Sequence, residues 1–250
     1  MTMAAVPRAT KVAPVTVAFW IAKVCATTLG ETAGDLLSMT LALGYASSSL
    51  LLFALLALVL GAQLRARRFH PARFWLVVVL TSTAGTTLSD FVDRSVGFGY
   101  ATGTALLSIA LATSLLLWWA AEGSVEVTQV HTRRQEAFYW STILCSNTLG
   151  TALGDYLTDE SGLGFAGGAL LIGGLLALLA VAWRCTRLDR VMLFWLAFVL
   201  TRPFGASFGD VLTKPAAHGG LALGTTGASA ILLVLLVLAV WGPGRRHRFA

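Results

Sequence analysis

Long apolar runs dominate the pattern of hydrophobic and polar positions in this 250-residue chain. A run of about 20 apolar residues is typical of a transmembrane helix, because a helix of that length crosses the hydrocarbon core of a bilayer. The runs are continuous rather than alternating, which favours helices over the strands of a membrane barrel. Eight spans are predicted, at residues 14–36, 41–62, 74–92, 99–121, 137–157, 163–183, 191–212 and 221–241.

The predicted spans are of two kinds. Those with even numbers are almost uncharged, as in residues 47–62 and 231–242, and those with odd numbers carry acidic residues near their C-terminal ends. The segment before the first span is polar and basic and has no clear small-residue cleavage site. The first span is therefore interpreted as a retained helix rather than a signal peptide.

The charge distribution sets an orientation. Hydrophobic residues make up 56% of the chain and charged residues 12%, and the charged share is about half that of a soluble domain. The net charge of +6 does not indicate a nucleic-acid partner, because 14 of the 18 basic residues fall on one side of an eight-span arrangement. The positive-inside rule places that side, and both termini, in the cytoplasm. These residues are Arg8, Lys11, Arg65, Arg67, Arg68, Arg73, Arg133, Arg134, Arg184, Arg187, Arg190, Arg245, Arg246 and Arg248.

Three landmarks recur four times along the chain. An aromatic residue followed by tryptophan occurs at Phe19-Trp20, Phe74-Trp75, Tyr139-Trp140 and Phe194-Trp195. Ten residues after each tryptophan comes a glycine, and five residues later an aspartate: Gly30 and Asp35, Gly85 and Asp90, Gly150 and Asp155, Gly205 and Asp210. Each repeat contains two spans, so all four repeats share one orientation and are parallel rather than inverted.

The repeats alternate in a finer pattern. The first and third share Cys-x-x-Thr-Leu-Gly, whereas the second and fourth share Val-Leu-Thr and a base four residues after the aspartate, Arg94 or Lys214. This ABAB order predicts two four-helix halves related by a pseudo-twofold axis along the membrane normal. The predicted fold is an all-α membrane protein of eight transmembrane helices, arranged as four parallel helical hairpins in a single domain over residues 1–250. The repeats occupy about 14–62, 73–121, 137–183 and 190–241.

The four-fold Trp-Gly-Asp pattern resembles a family of bacterial inner-membrane proteins with four tandem repeats, each of two transmembrane segments with a signature tryptophan. The family is known chiefly as a "repeat of unknown function", and the resemblance covers about residues 14–241. The resemblance implies the fold and the bacterial inner membrane, but it supplies no activity. The function has to be inferred from the residues.

A polar stripe runs along each odd-numbered span. Residues at helical intervals from the four aspartates lie on one helix face, and such faces turn toward protein or water because charge near the bilayer centre is costly. We therefore expect a polar path between helices 1, 3, 5 and 7, with the even helices facing lipid. Eight residues before the aspartates stand Thr27, Ser82, Asn147 and Arg202; four before stand Glu31, Thr86, Thr151 and Ala206; three after stand Ser38, Asp93, Thr158 and Thr213.

The acidic and hydroxyl groups of this stripe are candidate ion ligands. Each aspartate lies near the C-terminal end of its helix, where the helix dipole disfavours an anion, so the carboxylate favours a cation or a proton. Carboxylate, hydroxyl and amide oxygens suit hard or borderline cations such as Mg²⁺ and Mn²⁺. The candidate ion-binding residues are Asp35, Asp90, Asp155, Asp210, Glu31, Asp93, Thr27, Ser82, Asn147, Thr86 and Thr151, and the candidate metal ligands among them are Glu31, Asp35, Asp90, Asp155 and Asp210.

Two bases lie well inside predicted spans, Lys23 and Arg202. The favoured interpretation is that each is an internal counter-ion for Glu31, Asp35 or a neighbouring aspartate; the alternative is that they form an anion site. Structural readings also remain open for the rest of the pattern. The Gly30-x-x-x-Gly34 motif and its equivalents are typical of close helix packing, the tryptophans of an interfacial belt or packing wedge, and the aspartates of ion pairs with Arg94 and Lys214.

The leading hypothesis for the function is a transporter of a small cation, such as Mn²⁺ or Mg²⁺, with protons as an exchange partner, in a lipid bilayer. One alternative is a transporter or channel for a small organic or anionic solute whose charge is recognised by Lys23 and Arg202. Another is a membrane scaffold or sensor that transports nothing. The sequence has no phosphate-binding loop, nucleophile elbow, zinc-protease or dinucleotide motif, so neither an enzyme nor a cofactor is expected.

Overall fold

A computed structural model describes residues 10–66 and 68–242, and this part of the chain is helical throughout, with short connections. Five of the bases used for the predicted orientation, Arg8, Arg67, Arg245, Arg246 and Arg248, lie outside the described residues. Eight long helices follow one another: α1 (Val17–Asp35), α2 (Tyr45–Arg65), α3 (Pro71–Asp90), α4 (Tyr100–Glu122), α5 (Arg133–Asp155), α6 (Gly164–Cys185), α7 (Arg190–Thr213) and α8 (Gly224–Trp241).

Six of these helices are long and apolar enough to cross a membrane, namely α2, α3 with its continuation to Ser95, α4, α6, α7 and α8. The protein is therefore a multi-pass membrane protein. The other two, α1 and α5, carry more polar and charged residues, and those residues are mostly buried between neighbouring helices. The prediction of eight spans is thus confirmed for six helices of the described chain by length and composition.

The four odd-numbered helices form a closed ring, here called the ring helices. Helix α1 packs against α3, α3 against α5, α5 against α7, and α7 against α1. At each contact, a glycine of one ring helix faces a residue of the next ring helix. That residue stands eight positions before the repeat aspartate of its own helix. A Cβ atom on the glycine would overlap or press against that residue, so the glycines permit close helix packing. The four pairs are Gly30 with Ser82, Gly85 with Asn147, Gly150 with Arg202, and Gly205 with Thr27.

The even-numbered helices, here called the outer helices, surround this ring. Each packs mainly against the ring helix of the following repeat: α2 on α3, α4 on α5, α6 on α7, and α8 on α1. Their outward side chains are apolar and exposed, as with Leu50 and Leu170, at 75% and 77%, as expected for a lipid-facing jacket. Because the last helix covers the first, the ring closes only when all four repeats are in place.

The two ends of the ring differ in chemistry. At the end where the ring helices begin, the tryptophan end, aromatic rings pack on one another. The ring centroids of Phe19 and Trp75 lie 5.7 Å apart, and those of Phe74 and Trp140 5.3 Å apart. Trp118 of α4 packs at 5.7 Å from Trp195. The tryptophans thus form a packing layer that fills the ring at this end.

At the opposite end, the aspartate end, three ring helices change their winding. Immediately after the aspartate each continues as a π-helical turn, a feature that often marks functional sites. The turn then reverses the chain through residues with positive φ, such as Ala42 and Gly44 in the first repeat. The fourth repeat differs, because α7 remains α-helical to Thr213. The π-helical segments are Leu36–Thr40, Phe91–Ser95 and Tyr156–Glu160.

Candidate functional site

All four repeat aspartates are buried together at the aspartate end of the ring. Their exposed fractions lie between 2% and 6%. Asp35, Asp90 and Asp155 end their ring helices, and Asp210 lies in the last turn of α7. The closed ring therefore brings the four helix ends into one region. Glu31, one turn deeper, interacts electrostatically with all four carboxylates. The acids therefore form one cluster rather than four independent sites.

Two aspartates share Arg94, and this group is named the Arg94 triad. The Nε atom of Arg94 lies 3.1 Å from Asp90 of its own helix. Its terminal Nη2 lies 3.2 Å from Asp155 of α5. The guanidinium also lies 5.5 Å from the centre of the Tyr100 ring, a cation–π distance. The triad therefore ties α3 to α5 through separate nitrogen atoms for the two carboxylates.

The other two aspartates share Lys214, and this group is named the Lys214 triad. The ammonium group lies 3.2 Å from Asp210 of its own repeat and 3.4 Å from Asp35 of α1. Lys214 directly follows α7. Although burial acts to lower the pKa of Lys214, the carboxylates of Asp210 and Asp35 raise it above the ordinary value of a lysine. The base thus stays charged and ties α7 to α1.

The guanidinium of Arg202 occupies the centre of the ring, one layer below the aspartates. Arg202 is fully buried. Its Nη2 donates to Glu31 at 2.9 Å, to Thr151 at 2.7 Å and also to Thr86. These three acceptors belong to the three other ring helices, and each stands four residues before its aspartate. On α7 that position is the small Ala206, which leaves room for the arginine side chain. Arg202 thus forms an ion pair with Glu31 across the ring.

Lys23 lies deeper in the ring than the carboxylates for which the sequence predicts it as a counter-ion. Its Nζ donates to the side-chain oxygen of Asn147 at 3.3 Å and lies 3.9 Å from the centre of the Phe198 ring. Within the described residues no carboxylate is in ion-pair distance of Lys23. The reason is its depth: Lys23 lies twelve residues before Asp35, about 18 Å along a helix, and Arg202 already occupies Glu31. Lys23 is therefore buried without a counter-ion.

The remaining stripe residues divide into two groups. Thr27, Ser82 and Asn147 lie at the contacts between ring helices, and Asn147 also donates to Thr81 at 3.2 Å. The second group lies after the aspartates, where Thr158 of the third repeat faces Gly168 of α6. Asp93 accepts from Ser89 at 3.2 Å and faces Gly103 of α4. The Asp90 and Asp93 carboxylates thus serve different contacts and do not act as a pair.

The carboxylates of the acid cluster are paired with bases in this arrangement. In residues 10–66 and 68–242, no group of three or more His, Cys, Asp or Glu side chains is placed to hold a metal ion. The predicted metal ligands are Glu31, Asp35, Asp90, Asp155 and Asp210. Each of these acids is drawn to a base, either Arg94, Lys214 or Arg202.

One buried polar cluster lies outside the predicted site, at the tryptophan end. The ammonium group of Lys11 pairs with Glu136 and also donates to the carbonyl of Leu64 at 3.2 Å. Gln63 donates to the same carboxylate at 2.8 Å. The sequence places Lys11 among the bases of the predicted cytoplasmic side. Nothing in the local pattern indicates that the chain before α1 folds back onto α5.

The residues of the ring interior form layers along its axis. From the tryptophan end, the successive layers are the aromatic rings, Lys23, Arg202 with Glu31, and the four aspartates. Four residues of helix correspond to about 6 Å along the ring axis. The middle holds Lys23 and Arg202 with one acid, Glu31, and the aspartate end holds four aspartates with two bases, Arg94 and Lys214. This distribution of acids and bases suits the binding of a charged group at the aspartate end, because buried charge is tolerated where partners are arranged to compensate it.

The family comparison agrees with the repeats seen in the structure. The family model described as Repeat of Unknown Function (DUF347) matches residues 18–69, 73–124, 138–189 and 193–248, and the predicted resemblance is confirmed. No curated protein and no solved structure matches the chain. The matched segments correspond to the four helix pairs and together cover most of the sequence. The chain therefore belongs to the DUF347 repeat family, of which it carries four tandem copies.

Proposed function

We propose that this protein is a transporter of a small cation, with a divalent ion such as Mn²⁺ or Mg²⁺ as the leading candidate and protons as the exchange partner. The cation would enter at the aspartate end and follow the polar interior between α1, α3, α5 and α7. The proposal rests on the buried acid cluster and on the membrane-embedded ring, and it needs no enzyme chemistry and no cofactor.

The observation that carries the proposal is the charge of the aspartate cluster. Four buried aspartates share two bases, Arg94 and Lys214, within the described residues. Two carboxylate charges are therefore in excess when all groups are ionised. Buried charge of this kind requires compensation, and one divalent cation or two protons would supply it. The same cluster thus accounts for both the substrate class and the exchange ion.

The proposed transport cycle uses the bases as movable counter-ions. A cation arriving at the cluster would compete with Arg94 and Lys214 for their aspartates, and their departure would free carboxylate oxygens to bind it. The partly exposed side chains of the two bases, at 35% and 27%, favour such movement. Because both bases come from the even-numbered repeats, we propose the ABAB order and a pseudo-twofold axis along the membrane normal as the symmetry of this cycle.

The proposed location is the bacterial inner membrane, with both termini in the cytoplasm and the aspartate end facing outward. The bases at the tryptophan end support this orientation through the positive-inside rule. Arg65, Arg68, Arg133, Arg134 and Arg190 lie in the described part of that end. Cysteine accessibility in intact cells would test it.

The function is tested with Asp35→Asn combined with Asp155→Asn in proteoliposomes. This double variant removes the two excess charges and leaves each base with one aspartate, so the fold should be retained. Cation uptake and the accompanying pH change are measured for a panel of monovalent and divalent ions. We expect uptake to fall at least about tenfold, as the loss of a charge-assisted contact implies.

The matched control is Asp159→Asn, an acid on the π-helical turn of α5 that is exposed and should leave uptake unchanged. Equal uptake by the double variant and the native protein would refute the assigned site. If the native protein moves none of the ions in the panel, the transporter proposal fails. Reproducible co-purification of one protein partner would then favour a scaffold.

A further inference from the structure

The Lys23 layer and the Arg202 layer of the ring, here together called the middle layer, hold two buried cations. Their exposed fractions are 1% and 0%. Glu31 is the one carboxylate within ion-pair distance of either base in the described chain. The layer therefore has one positive charge in excess when both bases are protonated, and an uncompensated charge at such depth is strongly unfavourable.

The unpartnered polar groups of this layer are hydrogen-bond donors. Arg202 places all its hydrogen bonds on Nη2, whereas its Nε and Nη1 atoms have no acceptor among the described residues. The hydroxyl of Ser82, at the equivalent helix position, is also buried without a partner in the described part of the chain. Asn147 is occupied on both sides, by Lys23 and by Thr81. Unused N–H and O–H groups beside excess positive charge call for an acceptor that carries negative charge.

We infer that a small monovalent anion of the halide class, such as chloride, binds in the middle of the ring between Arg202 and Lys23. The anion would accept from Nε and Nη1 of Arg202, from Lys23 and from the Ser82 hydroxyl. A water molecule would satisfy the donors but would leave the charge uncompensated. The single excess positive charge of the layer matches a monovalent ion better than sulfate or phosphate. This site is separate from the proposed cation site at the aspartate end.

The experiment measures the melting temperature of the purified full chain in detergent at constant ionic strength. Chloride and bromide are compared with gluconate and sulfate. An anion that binds only the folded state stabilises it by mass action, so saturating chloride should raise Tm by about 5–10 °C. Bromide should do the same, and sulfate should not. Equal melting temperatures in chloride and gluconate would overturn the inference.

Lys23→Met is the decisive variant. It removes the excess charge while keeping an apolar chain of similar length, so it should lose the halide effect and melt in gluconate about as high as the native protein in chloride. Arg187→Met, which removes an exposed cation in the loop before α7, is the matched control and should keep the full halide effect. A halide effect that survives in Lys23→Met would contradict the assigned site.

A measurement on the native protein keeps the test independent of whether the variant folds. Chloride-35 NMR line widths report exchange of chloride with a protein site, and bromide should narrow the line by competition. A line width that does not respond to bromide would show that no such site exchanges with solution. The failure of either halide test leaves the cation proposal untouched, because that proposal depends on aspartates at another layer.

Discussion

The two triads at the aspartate end have the same plan but different strength. Each base bridges the aspartate four residues earlier in its own repeat and the aspartate of a neighbouring repeat. Arg94 uses Nε for one carboxylate and Nη2 for the other, and it also meets Tyr100. Lys214 offers a single nitrogen to both carboxylates, with a longer distance of 3.4 Å to Asp35.

This difference has a physical consequence for the ring. A planar guanidinium holds two carboxylates with directional bonds, whereas an ammonium group acts as a point charge. The Arg94 triad joins α3 to α5 in the middle of the chain. The Lys214 triad joins α7 to α1, which is the contact that closes the ring. We therefore expect the α7–α1 contact to be the weaker one at this end and the first to open.

The largest expected effect comes from removing each base. Arg94→Ala should lower the free energy of unfolding by about 3 kcal/mol, because two buried carboxylates lose their partner. Lys214→Ala should cost about 1–2 kcal/mol, since one shared nitrogen is lost. The measurement is denaturant unfolding in mixed micelles, with Arg187→Ala as the exposed control. Equal losses for the two bases would remove the contrast between the triads.

The glycine contacts should both resist an added Cβ atom, and the α7–α1 contact should resist it more strongly. Gly85→Ala presses a Cβ against Asn147 and Thr148 at the α3–α5 contact, and Gly205→Ala presses one against Thr27 at the α7–α1 contact. Each should destabilise the protein by about 1–3 kcal/mol, the usual cost of overpacking. Thermal melting would check both.

The control for this pair is Gly174→Ala in α6, where an added Cβ meets no atom within 4 Å. It should be neutral or slightly stabilising, since alanine is the better helix former. If only Gly205→Ala proved harmful, the asymmetry would lie in the helix packing rather than in the bases.

The smallest expected effect comes from exchanging the bases. Arg94→Lys should cost about 1 kcal/mol because the second nitrogen and the ring contact are lost, whereas Lys214→Arg should change stability by less than about 1 kcal/mol. The same unfolding assay on both single variants and the double exchange provides the readout. A larger loss for Lys214→Arg than for Arg94→Lys would reverse the proposed ranking.

Much of the fold was predictable from the sequence because its signals are local. Apolar length indicates membrane helices, and the recurrence of Trp, Gly and Asp indicates four equivalent units. The packing role of the glycines was predictable from their spacing, and at Gly205 the close contact is with Thr27. The turns carry a local signal as well, because a glycine with positive φ begins each outer helix: Gly44, Gly99, Gly164 and Gly224.

The candidate site was predictable as a set of residues but not as a set of partners. The helical period places Glu31 and Arg202 on inward faces, yet the pairing of Arg202 with Glu31, Thr86 and Thr151 depends on the ring order. Lys23 is a residue whose position was predictable but whose partners were not. Its interior position follows from the sequence, whereas the absence of a described carboxylate beside it depends on how the four helices align.

The sequence by itself determined the membrane setting, the four repeats and the polar face of each ring helix, because covalent spacing and helical period fix these within one segment. Only the tertiary structure decided that each outer helix covers the next repeat and that Asp155 belongs to Arg94 and Asp35 to Lys214. Four similar faces leave several neighbour arrangements open locally. The choice among them comes from the packing of the whole ring, which a single segment does not encode.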